Sequence, residues 1–526
     1  MKKTLVIILI SIVLILFAIN AYSFSTPTKN IHNHPTVTPS SSKPVVFLLI
    51  DSLMDEPLQK AIDEGRAPAL AFLSQHGQYV PNIVSSYPTM SVTIDSSLLT
   101  GTYADEHRIP ALSWFNKKEN RLVNYGSGAM EIFNIGVKQV LEDNLYNLNQ
   151  NHLSKSVATI YEDLYEREDD SASINGLVYR GKQNHHLHIP KIASTFNILP
   201  HSLAVKGPTL VSKGSLSQFS PKNNRHNNFW QRLGFNDAFT AKELKHLIQN
   251  DKLPSFTLAY FPDLDQRVHE NGPMDLKGIE QVDEQLQLIL NEYSSWEEAI
   301  ENMTLVVYGD SGQVAIGNDE AESLINLRTL LETYQISKLG EAIQTEDQIV
   351  LGVNSRMAYI YLLDEKITYT EMASHLIKDS RIGFIAWKDN KGNHVLSRES
   401  DSILTFQPNG KYRDQYDQVW NIRGDFSILD LSVTGHNNIE YGHYPDALAR
   451  LYGALHSHKG RYLIVDAKPS YEFIGEHSPT HLGGGGHGSL HEEDSLTPMI
   501  IAGTDTAPKQ KRVVDFKEWI LELTNH

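Results

Sequence analysis

The sequence predicts an α/β fold built on a mostly parallel sheet. Two observations carry this. Short runs apolar on both faces recur and end at aspartate: "VVFLLI" before Asp51, "FTLAYF" before Asp263 and Asp265, "MTLVVYG" before Asp310, and "RYLIVDA" with Asp466. Such runs suit buried parallel strands. Amphipathic helical patterns lie between them, for example at 278–293 and 444–458. Strands alternating with helices describe βαβ units.

In chain order, the first element is "MKKTLVIILISIVLILFAINAYSF", residues 1–24. Two lysines ahead of a long apolar run have the layout of a secretory signal peptide. Left uncleaved, the run is long enough to anchor the chain in a bilayer. With Lys2 and Lys3 inside, the remainder lies outside the cytoplasm, at the cell surface or secreted. Residues 25–43, rich in Pro, Ser and Thr, read as a linker. The catalytic domain is expected at 44–330 and 430–526, interrupted at 331–429 by a small α+β cap that reads strand, helix, strand, turn, strand. Residues 110–250, rich in Asn and His, are expected to carry insertions bordering the site.

Composition narrows the function. The 526 residues hold 46 basic and 63 acidic side chains, a net charge of −17. So acidic a chain offers no general nucleic-acid-binding surface. With an anionic substrate, local positive charge must come from elsewhere, such as bound metal. The chain has no cysteine, which excludes disulfides, thiolate metal sites and a thiol nucleophile.

The chemistry-bearing residues lie at strand ends. Ligand sites in open α/β sheets form outside the carboxyl ends of strands, and clustered carboxylates there need cations. In "DLDQRVHENGP", Asp265 and His269 are four apart, so on a helix they share a face and can grip one ion. In "HLGGGGHGSLHEED", glycines let the backbone around His487 approach a ligand closely. "YPTMSVTIDSSLLTG", residues 87–101, holds Thr89, Ser91, Thr93, Ser96, Ser97 and Thr100. A helix start after Pro88 would present N–H groups to an anion, and a hydroxyll there beside a metal becomes a nucleophile. The stretch alone leaves open which one.

These elements together resemble the type I phosphodiesterase/nucleotide pyrophosphatase family of the alkaline phosphatase superfamily. "FLLID", "YPTMSVTIDSSLLTG", "DLDQRVHENGP", "VVYGDSGQ" and "GGGGHGSLHEEDSLTPMIIAG" follow the family's order over roughly residues 44–503. The resemblance implies a three-layer αβα alkaline-phosphatase-like domain. It implies Ser91 as nucleophile, with Thr100-Gly101 as the marker pair and Thr89 and Thr93 structural. It implies two divalent metal ions, zinc foremost: one on Asp265, His269 and His487, the other on Asp51, Asp310 and Ser91. The expected function is an exported metal-dependent phosphoric-ester hydrolase, phosphodiesterase or phosphatase, working through a phosphoseryl intermediate on a phosphate ester substrate. The amino-terminal segment is its candidate membrane tether.

Two departures from the family pattern stand out. Ser311 replaces an expected histidine ligand, so the second ion coordinates a serine or a water there, and manganese or magnesium becomes an alternative to zinc. Ile94 replaces a phosphate-contacting asparagine, which argues against a nucleotide diester substrate. Rival readings are a sulfatase, whose motif arginine is here Met90, a metal-dependent phosphomutase, which export argues against, and a catalytically weak or inactive surface-binding member of the fold.

Overall fold

The computed structural model describes residues 43–190 and 199–525. The expected signal or anchor at 1–24 and the linker up to residue 42 lie outside the described residues. Among the described residues, no helix is long and apolar enough to cross a membrane.

Val45–Ile50 lies inside a seven-stranded sheet, parallel to Thr304–Gly309 on one side and Phe256–Phe261 on the other. Every residue of these three strands is buried, which is why they read as continuous apolar runs. Ser171–Ile174 and Leu210–Ser212 extend the parallel sheet beyond Phe256–Phe261. On the other side, Leu496–Ala502 pairs antiparallel with Thr304–Gly309 and with Gly77–Val84. The region 110–250 thus contributes two strands of the main sheet as well as peripheral hairpins.

Alternation along the central strand makes the layers. Val46, Leu48 and Ile50 face a core with Leu58, Leu70, Leu244 and Leu286 from helices on one side. Val45, Phe47 and Leu49 face a second core with Leu98, Leu164, Phe516 and Trp519. On the first side, helix Leu276–Leu290 starts where the Asp275 carboxylate accepts from the N–H groups of Lys277 and Gly278. Its Ile279, Val282, Leu286 and Ile289 are buried at helical spacing.

A nine-stranded second sheet lies against the other core. Tyr462–Ala467 sits inside it, antiparallel to Met357–Leu362 and Ile382–Asp389. This differs from the sequence reading, in which "RYLIVDA" resembled the parallel strands. The sheet runs from Ile349 to Ala467, past the expected limit of the insertion at 429. Its Tyr359, Tyr361, Phe384 and Phe406 share one hydrophobic cluster with Phe47 and Tyr308 of the main sheet, so the segment is packed into the body of the protein.

Candidate active site

Three neighbouring parallel strands deliver the acids. Val45–Ile50 leads into Asp51, Thr304–Gly309 into Asp310, and Phe256–Phe261 into helix Asp263–Asn271, which carries Asp265 and His269. The strands are in register at their carboxyl ends, Ile50 opposite both Gly309 and Phe261. Chain order therefore has little to do with which acids meet. Asp466 does not join them, because its strand belongs to the second sheet. Asp263 turns aside to pair with Arg232.

Asp265, His269 and His487 place ligand atoms within 4.8 Å of one another. Asp265 Oδ1 is 3.2 Å from His269 Nε2 and 3.8 Å from His487 Nε2. The remaining nitrogens are engaged: His269 Nδ1 donates to the Gly485 carbonyl at 2.7 Å, and His487 Nδ1 donates to the Thr89 carbonyl. That leaves both Nε2 atoms aimed at Asp265, the orientation a metal-ligating histidine needs. Glycine is required alongside, since a Cβ at position 484 would overlap the His269 carbonyl oxygen.

Charge inside this group is nearly balanced. Burial lowers the His269 basicity, but the Asp265 carboxylate outweighs it and pushes the imidazole up to about 9. Burial raises Asp265, yet the His269 charge and hydrogen bond hold it below the usual carboxylate range. Burial and the His269 charge pull His487 down to about 4. One carboxylate and two imidazole nitrogens form a donor set that fits zinc.

The second group is made of oxygen. Ser91 is the first residue of helix Ser91–Thr100, and its Oγ lies 3.4 Å from Asp51 Oδ1. The Tyr260 hydroxyl donates to Asp51 Oδ2. Asp310 Oδ1 accepts from the N–H groups of Ser52 at 2.9 Å and Ser311 at 2.7 Å. Asp310 Oδ2 is buried with no hydrogen-bond partner. Burial, then the charges of Asp310 and Asp265, push Asp51 well up. Burial also pushes Asp310 up to about 6. Two desolvated carboxylates with an unsatisfied oxygen fit a divalent cation. Ser311 is fully buried beside them, its Oγ 3.5 Å from Ser52 Oγ.

Several supporting residues have no signature of their own. Gln313 Nε2 donates to Asp265 Oδ1 and to Ser52 Oγ, both at 2.8 Å, and Ser52 Oγ donates to Asp265 Oδ1 at 2.9 Å. Ser52 and Gln313 could be found only by their closeness to Asp51 and Asp310 in sequence. Tyr260 is hidden inside an apolar strand. Asp466 accepts from the Tyr87 hydroxyl at 2.9 Å, Ser489 Oγ at 2.6 Å and the Leu490 N–H at 3.0 Å, so it braces the loop that follows His487.

Of the other hydroxyls named in residues 87–101, all but Thr93 have structural partners. Thr89 Oγ1 accepts from the Gly488 N–H at 2.7 Å. Ser96 and Thr100 bond back to carbonyls one turn earlier, and Ser97 contacts Ser86 and His107. Thr93 Oγ1 is buried without a partner. Ile94 is fully buried in the core shared by the two sheets. Position 94 thus faces the interior and offers no polar group to a substrate phosphate.

Residues 45–489 match the type I phosphodiesterase/nucleotide pyrophosphatase family. No curated protein matches the chain. Among solved structures, murine ectonucleotide pyrophosphatase/phosphodiesterase 5 is similar, with a TM-score of 0.54 and 14% identity over 91% of this chain and 95% of that one. An inactive variant of the murine protein in complex with AMP gives 0.54 and 14% over 92% and 95%. The human protein gives 0.54 and 15% over 91% and 94%. At this identity the likeness concerns the fold.

Proposed function

Because the chain belongs to the type I phosphodiesterase/nucleotide pyrophosphatase family and is a hydrolase of phosphoric ester bonds, we propose that it cleaves phosphodiesters outside the cytoplasm, with Ser91 as nucleophile and two divalent ions as cofactors. The observation that carries this reading is the placement of Ser91 Oγ at a helix start, 3.4 Å from Asp51 Oδ1. Asp310, with its unsatisfied oxygen, and the Asp265, His269 and His487 cluster complete the group.

Asp265, His269 and His487 would hold zinc. Asp51, Asp310 and Ser91, with Ser311 or a water beside it, would hold the second ion, zinc or a harder cation. Bound there, the ions supply Lewis acidity at the phosphoryl oxygens and lower the serine pKa. The protein's own part is positional. The helix start directs N–H groups and a partial positive charge toward the phosphate. Ser91 gives up its proton, for which Asp51 Oδ1, 3.4 Å away, is the acceptor it faces. Its Oγ attacks phosphorus in line, the bond to the leaving alkoxide breaks, and a phosphoseryl ester forms. Water then hydrolyses that ester and regenerates the Ser91 hydroxyl. Asp51, Asp310 and His487 are almost fully buried, which keeps bulk water from screening these interactions.

Export rests on the composition of residues 1–24. A nucleotide diester is a candidate substrate through the family and through the inactive murine variant in complex with AMP. The test compares hydrolysis of bis-p-nitrophenyl phosphate, thymidine 5′-p-nitrophenyl phosphate and p-nitrophenyl phosphate by the zinc-loaded protein. We expect both diesters to be cleaved at least about tenfold faster than the monoester, a difference of about 1.4 kcal/mol in barrier. Preference for the monoester would replace this reading with a phosphatase.

A further inference from the structure

Among the described residues, a second set of three donors converges as closely as Asp265, His269 and His487 do. His443, His491 and Glu492 place one ligand atom each within 4.8 Å of the others. We propose that they form a peripheral transition-metal site, suited to zinc, that clamps the second sheet to the loop carrying His487. This site is separate from the one described above and does not depend on the reaction assigned there.

Backbone contacts set the donors in place. His443 follows strand Asn438–Tyr441, and its N–H donates to Asp430 Oδ2 at 2.8 Å. Glu492 N–H donates to the His443 carbonyl at 2.8 Å. His491 N–H donates to Ser489 Oγ at 3.1 Å. Two segments distant in sequence are thereby held side by side before any cation arrives, so little conformational entropy remains to be lost on binding.

The side chains then converge. His443 Nδ1 is 2.6 Å from Glu492 Oε1. The His443 and His491 rings are nearly parallel, 9° apart with centroids at 5.6 Å, and Tyr444 meets the His491 ring edge-on at 5.7 Å. The competitor for His491 Nδ1 is the Glu493 N–H at 3.4 Å, long for a hydrogen bond. Two imidazoles and one carboxylate are a zinc-type donor set that leaves a position for water. His443 is largely exposed and His491 mostly covered, so an ion has an approach from solvent and a fixed wall behind it.

The location gives the clamp its effect. His491 lies four residues after His487, and Ser489 and Leu490 between them are tied to Asp466. His443 is tied through Asp430 to the turn before strand Leu431–Thr434. An ion would cross-link these two parts of the molecule.

The test is zinc titration by calorimetry into the full chain in detergent, stripped with chelator, comparing wild type with His443→Ala and Glu492→Gln. Circular dichroism establishes that each variant is folded. We expect each variant to bind one zinc equivalent fewer than wild type, or to bind that equivalent at least about tenfold more weakly, a loss that removal of even a ligand's partner produces. Diester hydrolysis at saturating zinc should be unchanged in His443→Ala. In zinc-soaked crystals, anomalous density should appear between the three side chains. Unchanged stoichiometry and affinity in both variants, or anomalous density confined to the Ser91 region, would overturn the proposal.

Discussion

The two halves of the candidate active site solve opposite electrostatic problems. Asp265, His269 and His487 balance one another: a carboxylate held low faces an imidazole pushed up to about 9. Asp51 and Asp310 have no such counter-charge. Both are buried, both are pushed upward, and one oxygen of Asp310 has no partner. The first half is a set of donors whose charges largely offset one another. The second consists of acids whose charge must be met by something the chain does not supply, and Ser91, the proposed nucleophile, stands beside that second half. The proposed reactive serine thus sits where a cation is most needed.

The largest effect follows from the nucleophile. Ser91→Ala removes the attacking oxygen but keeps the helix start, Asp51 and Asp310. Diester turnover should fall by roughly 10³-fold or more, while zinc on the Asp265 group is retained. Near-normal turnover in this variant would place the nucleophile elsewhere and detach the reactive serine from the oxygen-rich half.

A smaller effect is expected in the other half. Gln313→Leu removes two hydrogen bonds, to Asp265 Oδ1 and Ser52 Oγ, without touching either histidine. Partners of metal ligands are worth about 10- to 100-fold in affinity. Chelator competition should show zinc on the Asp265 group weakened by that much, with the oxygen-rich half unaffected. Equal weakening of both would mean that Gln313 props the whole site and that the two halves are not independent.

This division was only partly legible in the sequence. Asp51, Asp310 and Asp265 follow runs apolar on both faces, and His269 and His487 sit in distinctive local patterns, so the acids and imidazoles were visible. The supporting contacts were not. Tyr260 reads as one more apolar strand residue, and the bond from Gln313 to Asp265 spans 48 positions. Ser171–Ile174, "SASI", escaped notice because four residues with two buried serines carry no hydrophobic signal. Tyr462–Ala467 was recognisable as a strand but not by its sheet. A strand buried on both faces looks alike whether its neighbours are parallel or antiparallel. Ile94 is the reverse case: its apolar character was plain, but only the packing shows that it faces the core.

The smallest effect, and the closest test of the comparison, concerns Ser311. A serine hydroxyl is a far weaker ligand than an imidazole nitrogen unless it ionises. Asp51, Asp310 and hydroxyls make an oxygen-only set, suited to manganese or magnesium and open to water. The two halves should therefore hold zinc unequally, the Asp265 group tightly and the Asp51 group weakly and exchangeably. Ser311→His adds a nitrogen to the weaker half and reduces the contrast. The position is fully buried with Ser52 Oγ at 3.5 Å, so the larger ring costs roughly 1–3 kcal/mol in packing. That cost limits the gain, and we expect zinc in the second half to tighten by about tenfold, or 1.4 kcal/mol. Dependence of hydrolysis on added metal should fall in parallel, and the preference for manganese should weaken. Thermal unfolding of the metal-free variant measures the packing cost separately. If wild type holds both zinc ions tightly and the folded variant changes neither affinity nor metal preference, another group completes the second half, and the two halves are more alike than their side chains indicate.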